Sequence, residues 1–225
     1  MSCVRCCRTG GAMRTRTVVA TSLALVMASA VPARAAAPIP PPPPTASMVV
    51  DVVTVSGSGC PPGTVLVTVA QDNTRFSLIY NSFFVQVGVG AGPLDFRKSC
   101  QAVLALRPPA GFTLAVSGVD HMGYAFLADG ATGIHQASHH LQGRPRPALI
   151  SHPLIGPMDG LWQATDEVLI EPVYFPCGTT PIMVLDTALR VGAGTSDPQT
   201  TTSFVSLDAV DISYSSSYRL AWATC

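Results

Sequence analysis

The sequence predicts an all-β fold: an antiparallel β-sandwich of jelly-roll, Ig-like or barrel-like form, locked by two disulfides. Three observations predict it. Short runs of residues alternate apolar and polar with period two. Clusters rich in Gly, Pro, Asp and Asn separate those runs. Four cysteines remain once an N-terminal export leader is set aside. The chain has 225 residues, 48% apolar and 12% charged. That suits one domain with appendages, suffices for a real core and argues against intrinsic disorder.

The leader comes first in the chain. Arg14 and Arg16 precede an apolar run from Val18 to Val31, followed by Ala33-Arg34-Ala35. Positive, apolar and small-residue segments in that order make a secretory signal, cleaved after Ala35 or Ala37. Residues 1–37 are therefore expected to be removed. Met13 would begin a signal of ordinary length, which makes residues 1–12 an upstream-start extension. The apolar run is too short for a transmembrane helix, and no other stretch is longer, so no stable membrane span is expected. Cys3, Cys6 and Cys7 lack partners at finger spacing and leave with the signal. Removing the five arginines before Pro38 leaves eight basic residues against 13 acidic ones, a net charge of −5. An acidic exported product is a poor partner for nucleic acid, which demands a basic face.

Residues 38–47 form a proline-rich linker, with Pro40 to Pro44 unbroken. Polyproline II is favoured there and would span roughly 20 Å. A solvated tail is the preferred reading over a stalk. The domain itself is expected over 48–225.

Its cysteines are Cys60, Cys100, Cys177 and Cys225. An even number in an oxidising compartment implies two disulfides, with three possible pairings. Local pairing within each half, Cys60–Cys100 and Cys177–Cys225, is the one we expect. It ties down the chain end and leaves no lone thiol for catalysis.

Alternation then marks the strands in order. It is seen in Val65, Val67 and Val69; in Phe76, Leu78 and Tyr80; in Cys100, Ala102, Leu104 and Leu106; and in Phe112, Leu114 and Val116. The clearest case is the last stretch. There Ile212, Tyr214, Ser216, Tyr218, Leu220 and Trp222 share one face, and Asp211, Ser213, Ser215, Ser217 and Arg219 share the other, read as hydrated. Turn residues separate the runs at Pro61-Pro62-Gly63, Asp72-Asn73, Pro108-Pro109 and Gly192 to Pro198. Prolines 145, 147, 153 and 157 are read as a long irregular connection. Many short strands with frequent turns favour a sandwich or barrel over βαβ architecture.

Several of these residues also form an ordered pattern. Gly57-Ser58-Gly59-Cys60-Pro61-Pro62-Gly63-Thr64, Asp72-Asn73-Thr74 and Val85-Gln86-Val87-Gly88 open it. Arg97-Lys98-Ser99-Cys100-Gln101, Leu141-Gln142-Gly143, Thr165-Asp166-Glu167, Pro176-Cys177-Gly178 and the closing Trp222 and Cys225 continue it. The pattern resembles the secreted family called domain of unknown function 4360, over roughly residues 48–225. The resemblance implies an exported β-rich domain with two disulfides and supplies no activity. The pair His139-His140 stands where the family pattern leads us to expect aromatic residues.

Among candidate chemistries, His135, His139, His140 and His152 are the metal candidates. On a strand, His135 and His139 share a face but lie about 13 Å apart, and His139 and His140 point to opposite faces. Neither pair can chelate an ion without another strand, so no metal or other cofactor is expected. Carboxylates come next: Asp166, Glu167 and Glu171 suggest glycosidase-like acid–base work. Adjacent residues on a strand face opposite ways, however, so Asp166-Glu167 is not by itself a dyad. Asp120-His121 with Ser56 or Ser58 invites a nucleophilic reading, but there is no G-x-S-x-G elbow. Asp208 and Asp211 lack the spacing of a calcium loop. Trp162, in a neighbourhood read as irregular, is the candidate carbohydrate contact.

No catalytic residue is assigned on this basis. The expected function is a non-enzymatic secreted module presenting a loop or sheet face to cell-wall polysaccharide or to a protein partner. The competing readings are a hydrolase of an envelope polysaccharide, built on carboxylates that the fold brings together, and a histidine-based metal module.

Overall fold

The computed structural model describes residues 41–167, 172–207 and 216–225. Among them, twelve strands follow one another: β1 Val49–Ser56, β2 Val65–Val69, β3 Arg75–Tyr80, β4 Phe84–Gly88, β5 Arg97–Arg107 and β6 Phe112–Leu127. The second half adds β7 Thr132–Leu141, β8 Ile150–Ile155, β9 Met158–Glu167, β10 Ile182–Gly192, β11 Thr202–Ser206 and β12 Ser216–Thr224. The strands make two antiparallel sheets. The smaller has the order β1-β5-β10-β7-β8, and the larger β2-β3-β12-β6-β11-β4 with β9 on the free edge of β6. The result is the sandwich the alternation predicts. No helix among the described residues is long and apolar enough to cross a membrane.

Period two explains the core. Phe76, Leu78 and Tyr80 on β3, Leu104 and Leu106 on β5, and Leu114 on β6 are all buried between the sheets. Each such side chain contributes about 1.5–3 kcal/mol on leaving water. On β12, Tyr218 and Trp222 point inward; Tyr218 stacks on Phe76 at 4.9 Å, and Trp222 donates its indole N–H to the Asn73 carbonyl at 2.8 Å. Ile212, Tyr214, Asp208, Asp211 and Glu171 lie outside the described residues, as do residues 1–37 with the signal and Cys3, Cys6 and Cys7.

One residue of β6 breaks the register. Arg219 faces Gly118 and Leu220 faces Val116, so Ser117 is a bulge. The bulge flips the parity of the strand. Leu114 and Val116 point inward before it; Val119, His121 and Ala125 do so after it.

Asn73 is the hinge pin of the N-terminal end. Its φ of 54° is the left-handed turn conformation that asparagine tolerates better than most residues. Its amide donates to the carbonyls of Pro44 and Ala46, and its side-chain oxygen accepts from the Met48 N–H. The disulfides join Cys60 to Cys100 and Cys177 to Cys225, with Cα separations of 5.4 and 5.8 Å. Local pairing is thus what the fold uses.

Three local expectations need correction. Pro153 is not in an irregular connection but inside β8, opposite Ile134. A proline is tolerated there because β8 is the edge of its sheet and its missing N–H would face no strand. Trp162 likewise lies in the regular strand β9, paired with Gly123. Ser217 is not hydrated: it is fully buried and shares a hydrogen bond of 3.2 Å with Ser77.

Candidate functional site

The histidines singled out in the sequence separate into two groups. His135 on β7 and His152 on β8 are direct cross-strand partners on the inner face of the smaller sheet. Their rings stack at 5.5 Å. From the larger sheet, His121 on β6 reaches the same place, with its ring 4.4 Å from that of His135. Asp166 completes the nest. It sits diagonally from His121 across the β6–β9 ladder, 3.1 Å from His152 Nε2 and 3.6 Å from His121 Nε2. The sequence offers His121 and Asp166 only as acid–base candidates and His135 and His152 only as metal candidates, in separate segments; the fold places all four together.

Burial sets the charge states. It pushes the His121 imidazole down, against the opposing pull of Asp166. It pushes His135 well down, and the neighbouring imidazoles push the same way. Burial also tends to raise the Asp166 carboxyl, but His121 and His152 facing it outweigh that and hold it below the ordinary range. The ground state therefore sets the Asp166 carboxylate beside the neutral imidazoles of His121 and His135.

The nest has a connectivity familiar from hydrolases. Ser216 Oγ lies 2.9 Å from His121 Nδ1, and Asp166 faces the other ring nitrogen. A serine nucleophile must meet its substrate, however. Ser216 is fully buried and His121 is 1% exposed. The cavity beside them holds about 10 Å³, at the lower limit for one water. The trio is thus an interior polar chain that no substrate reaches in this conformation. Among the described residues, no group of three or more His, Cys, Asp or Glu side chains has the geometry to hold a metal ion.

The other candidates are dispersed. His139 lies edge-on to Tyr218 at 6.0 Å, and burial pushes its imidazole down. With His140 it lines an apolar groove of about 420 Å³ beside Val116, Phe175 and Met183. Glu167 points outward, opposite in sense to Asp166, as alternation requires. Glu167 and Asp120 are both tied to Arg219, at 2.6 and 3.3 Å, across the outer face. The guanidinium lies over Gly118, where a Cβ would stand 2.2 Å from it. These two carboxylates share a cation and do not flank a cleft. Ser58 caps the Ser99 N–H, and Ser56 is exposed on the edge strand β1.

Trp162 is buried, at 4% exposure, and packs on His135 at 5.1 Å. It can lie flat because its partner is Gly123, where a Cβ would come within 2.7 Å of the indole. A ring sealed in this way offers no face to a sugar.

Sequence reasoning missed the aromatic feature that is exposed. On the outer face of the larger sheet, Phe204 of β11 lies between Phe126 and Tyr124 of β6, with ring centroids 5.9 and 6.0 Å away. The planes are within 25° and 20° of parallel. Phe126 is 40% exposed, and Leu161 beside them on β9 is 69% exposed. The Tyr124 hydroxyl donates to Asp159, which raises that phenol above its ordinary value. The available signal was alternation in Tyr124-Ala125-Phe126 and Phe204-Val205: the small and aliphatic residues point inward, which leaves the aromatic ones outside.

Fold and sites together define a secreted, disulfide-bonded β-sandwich with a sealed polar interior and an open aromatic face. The chain belongs to the family described as domain of unknown function (DUF4360), which matches residues 46–225. It is 29% identical, over 77% of its length and 70% of the relative's, to an uncharacterized secreted protein of Arthroderma benhamiae. Among solved structures it is similar to TmCBM61 in complex with beta-1,4-galactotriose, at 12% identity and a TM-score of 0.26. That match covers 76% of this chain and 88% of the other, and the superposition is too loose to carry an argument.

Proposed function

We propose that this chain is a non-enzymatic extracellular binding module that engages a cell-envelope polysaccharide through the outer face of its larger sheet. The observation that supports this reading is the row of near-parallel rings, Tyr124, Phe204 and Phe126, left open on a rigid sheet. Exposed aromatic clusters of this kind are expensive in water and mark interaction surfaces. The C–H faces of pyranose rings pack on such rings, and acceptors flanking them, here Asp159 and Gln163, suit the hydroxyls at the rim. Ser216, His121 and Asp166 are the residues best connected for hydrolysis, and they are closed to a polymer; this favours binding over cleavage.

The test is retention on insoluble chitin, cellulose, β-glucan and mannan. Wild-type protein should be retained by at least one of them. Phe126→Ala with Phe204→Ala should weaken retention roughly tenfold or more, as expected for aromatic anchors. The melting temperature should barely move, because these rings are partly in water already. Equal retention of both proteins, or none by any of the four polymers, would overturn the proposal.

A further inference from the structure

A polar row crosses the outer face of the smaller sheet, opposite to the aromatic face. Register places Ser56, Gln101, Asp186 and Ser138 side by side on β1, β5, β10 and β7. Asp186 is 5% exposed, yet only one of its oxygens is engaged. Its Oδ1 accepts from Gln101 Nε2 at 2.9 Å and from Arg146 Nη2 at 2.7 Å. Its Oδ2 has no hydrogen-bond partner among the described residues, and neither does the hydroxyl of the facing Ser138, itself 6% exposed. Such an ion held out of water with an empty acceptor is costly. Beside it lies a cleft of about 350 Å³, lined by Ser99, Gln101, Asp186, Arg146 and Leu149. Arg146 and Leu149 belong to the exposed segment 143–149 that links β7 to β8.

We propose that this cleft is a second ligand site, a pocket for one neutral sugar residue bound through adjacent hydroxyls. The chemistry selects that class. A carboxylate and a guanidinium side by side repel, respectively, an anion and a cation. A hydroxyl both donates and accepts, so one can donate to Asp186 Oδ2 while its neighbour accepts from Arg146. Leu149, 37% exposed, supplies an apolar wall for the C–H face. The Arg146 side chain is 58% exposed, and while one N–H binds Asp186 Oδ1 its other guanidinium donors remain for the sugar. The inference takes its ligand class from the proposed function but uses a different face and different residues.

The test is an amide chemical-shift titration of the protein with the methyl glycosides of glucose, galactose, mannose and N-acetylglucosamine, up to roughly 50 mM, where weak single-residue binding registers. At least one should shift the amides of Gln101, Ala188 and Leu149. Arg146→Gln and Asp186→Asn should each weaken that binding roughly tenfold or more, while Phe204→Ala leaves it unchanged. Should Asp186→Asn fail to fold, the exposed Arg146→Gln decides alone. No shift with any of the four, or shifts that survive Arg146→Gln, would overturn the proposal. So would shifts produced by putrescine or acetate instead. Polymer retention lost with the shifts preserved would sink the aromatic-face reading alone; the converse would sink this one alone.

Discussion

Acidification from about pH 7.5 to about pH 5 should destabilise this sandwich from the inside, through the buried imidazoles. His121, His135 and His139 all have imidazoles pushed below the ordinary value of 6.5, in each case first by burial. In the unfolded chain they charge near 6.5; in the fold they stay neutral to lower pH. Between those limits the unfolded state binds more protons, so stability is fully present above 6.5 and is lost as pH falls. Each imidazole contributes about 1.4 kcal/mol per pH unit, which sets a ceiling of about 4 kcal/mol per pH unit for the three. Against a typical total of about 5–15 kcal/mol that is decisive. Asp166 acts in a separate window: its carboxyl is held below 3.8, so its contribution disappears only in stronger acid. Urea unfolding at four pH values would measure the slope. His135→Gln should flatten it by up to about a third. A midpoint that is flat, or that rises on acidification, would refute the assignment of neutral buried histidines.

Two further outcomes are expected. Asn73→Ala removes three hydrogen bonds to the segment before β1 and puts alanine at φ 54°; it should cost about 2–4 kcal/mol in chemical unfolding. Replacing Cys177 and Cys225 together by serine releases a crosslink spanning 48 residues. It should cost about 4 kcal/mol from the freedom regained by the unfolded chain, measured by calorimetry against wild type under non-reducing conditions.

Strand identity was legible wherever a half-buried surface wrote itself as alternation. Phe76, Leu78 and Tyr80, or Leu104 and Leu106, announce their face because most neighbours of opposite parity, such as Arg75, Ser77, Ala105 and Arg107, are polar or small. Pro153 and Pro157 make β8 and the start of β9 look like an irregular connection, because proline breaks most strands. Only the sheet order reveals that an edge strand can host Pro153. The site was less legible. His121, His135, His152 and Asp166 come from four strands, and the Ser117 bulge decides which face of β6 His121 takes. The exposure of Phe126 and the burial of Trp162 turn on their cross-strand neighbours, which a single strand does not encode.

By itself the sequence determined a β-rich, exported, twice-crosslinked framework, because periodicity, turn chemistry and cysteine spacing are local properties of the chain. Only the tertiary structure decided which polar residues meet and which aromatic rings see water. Those depend on strand order and register, and contacts between residues far apart in the chain are set when two sheets close over one another.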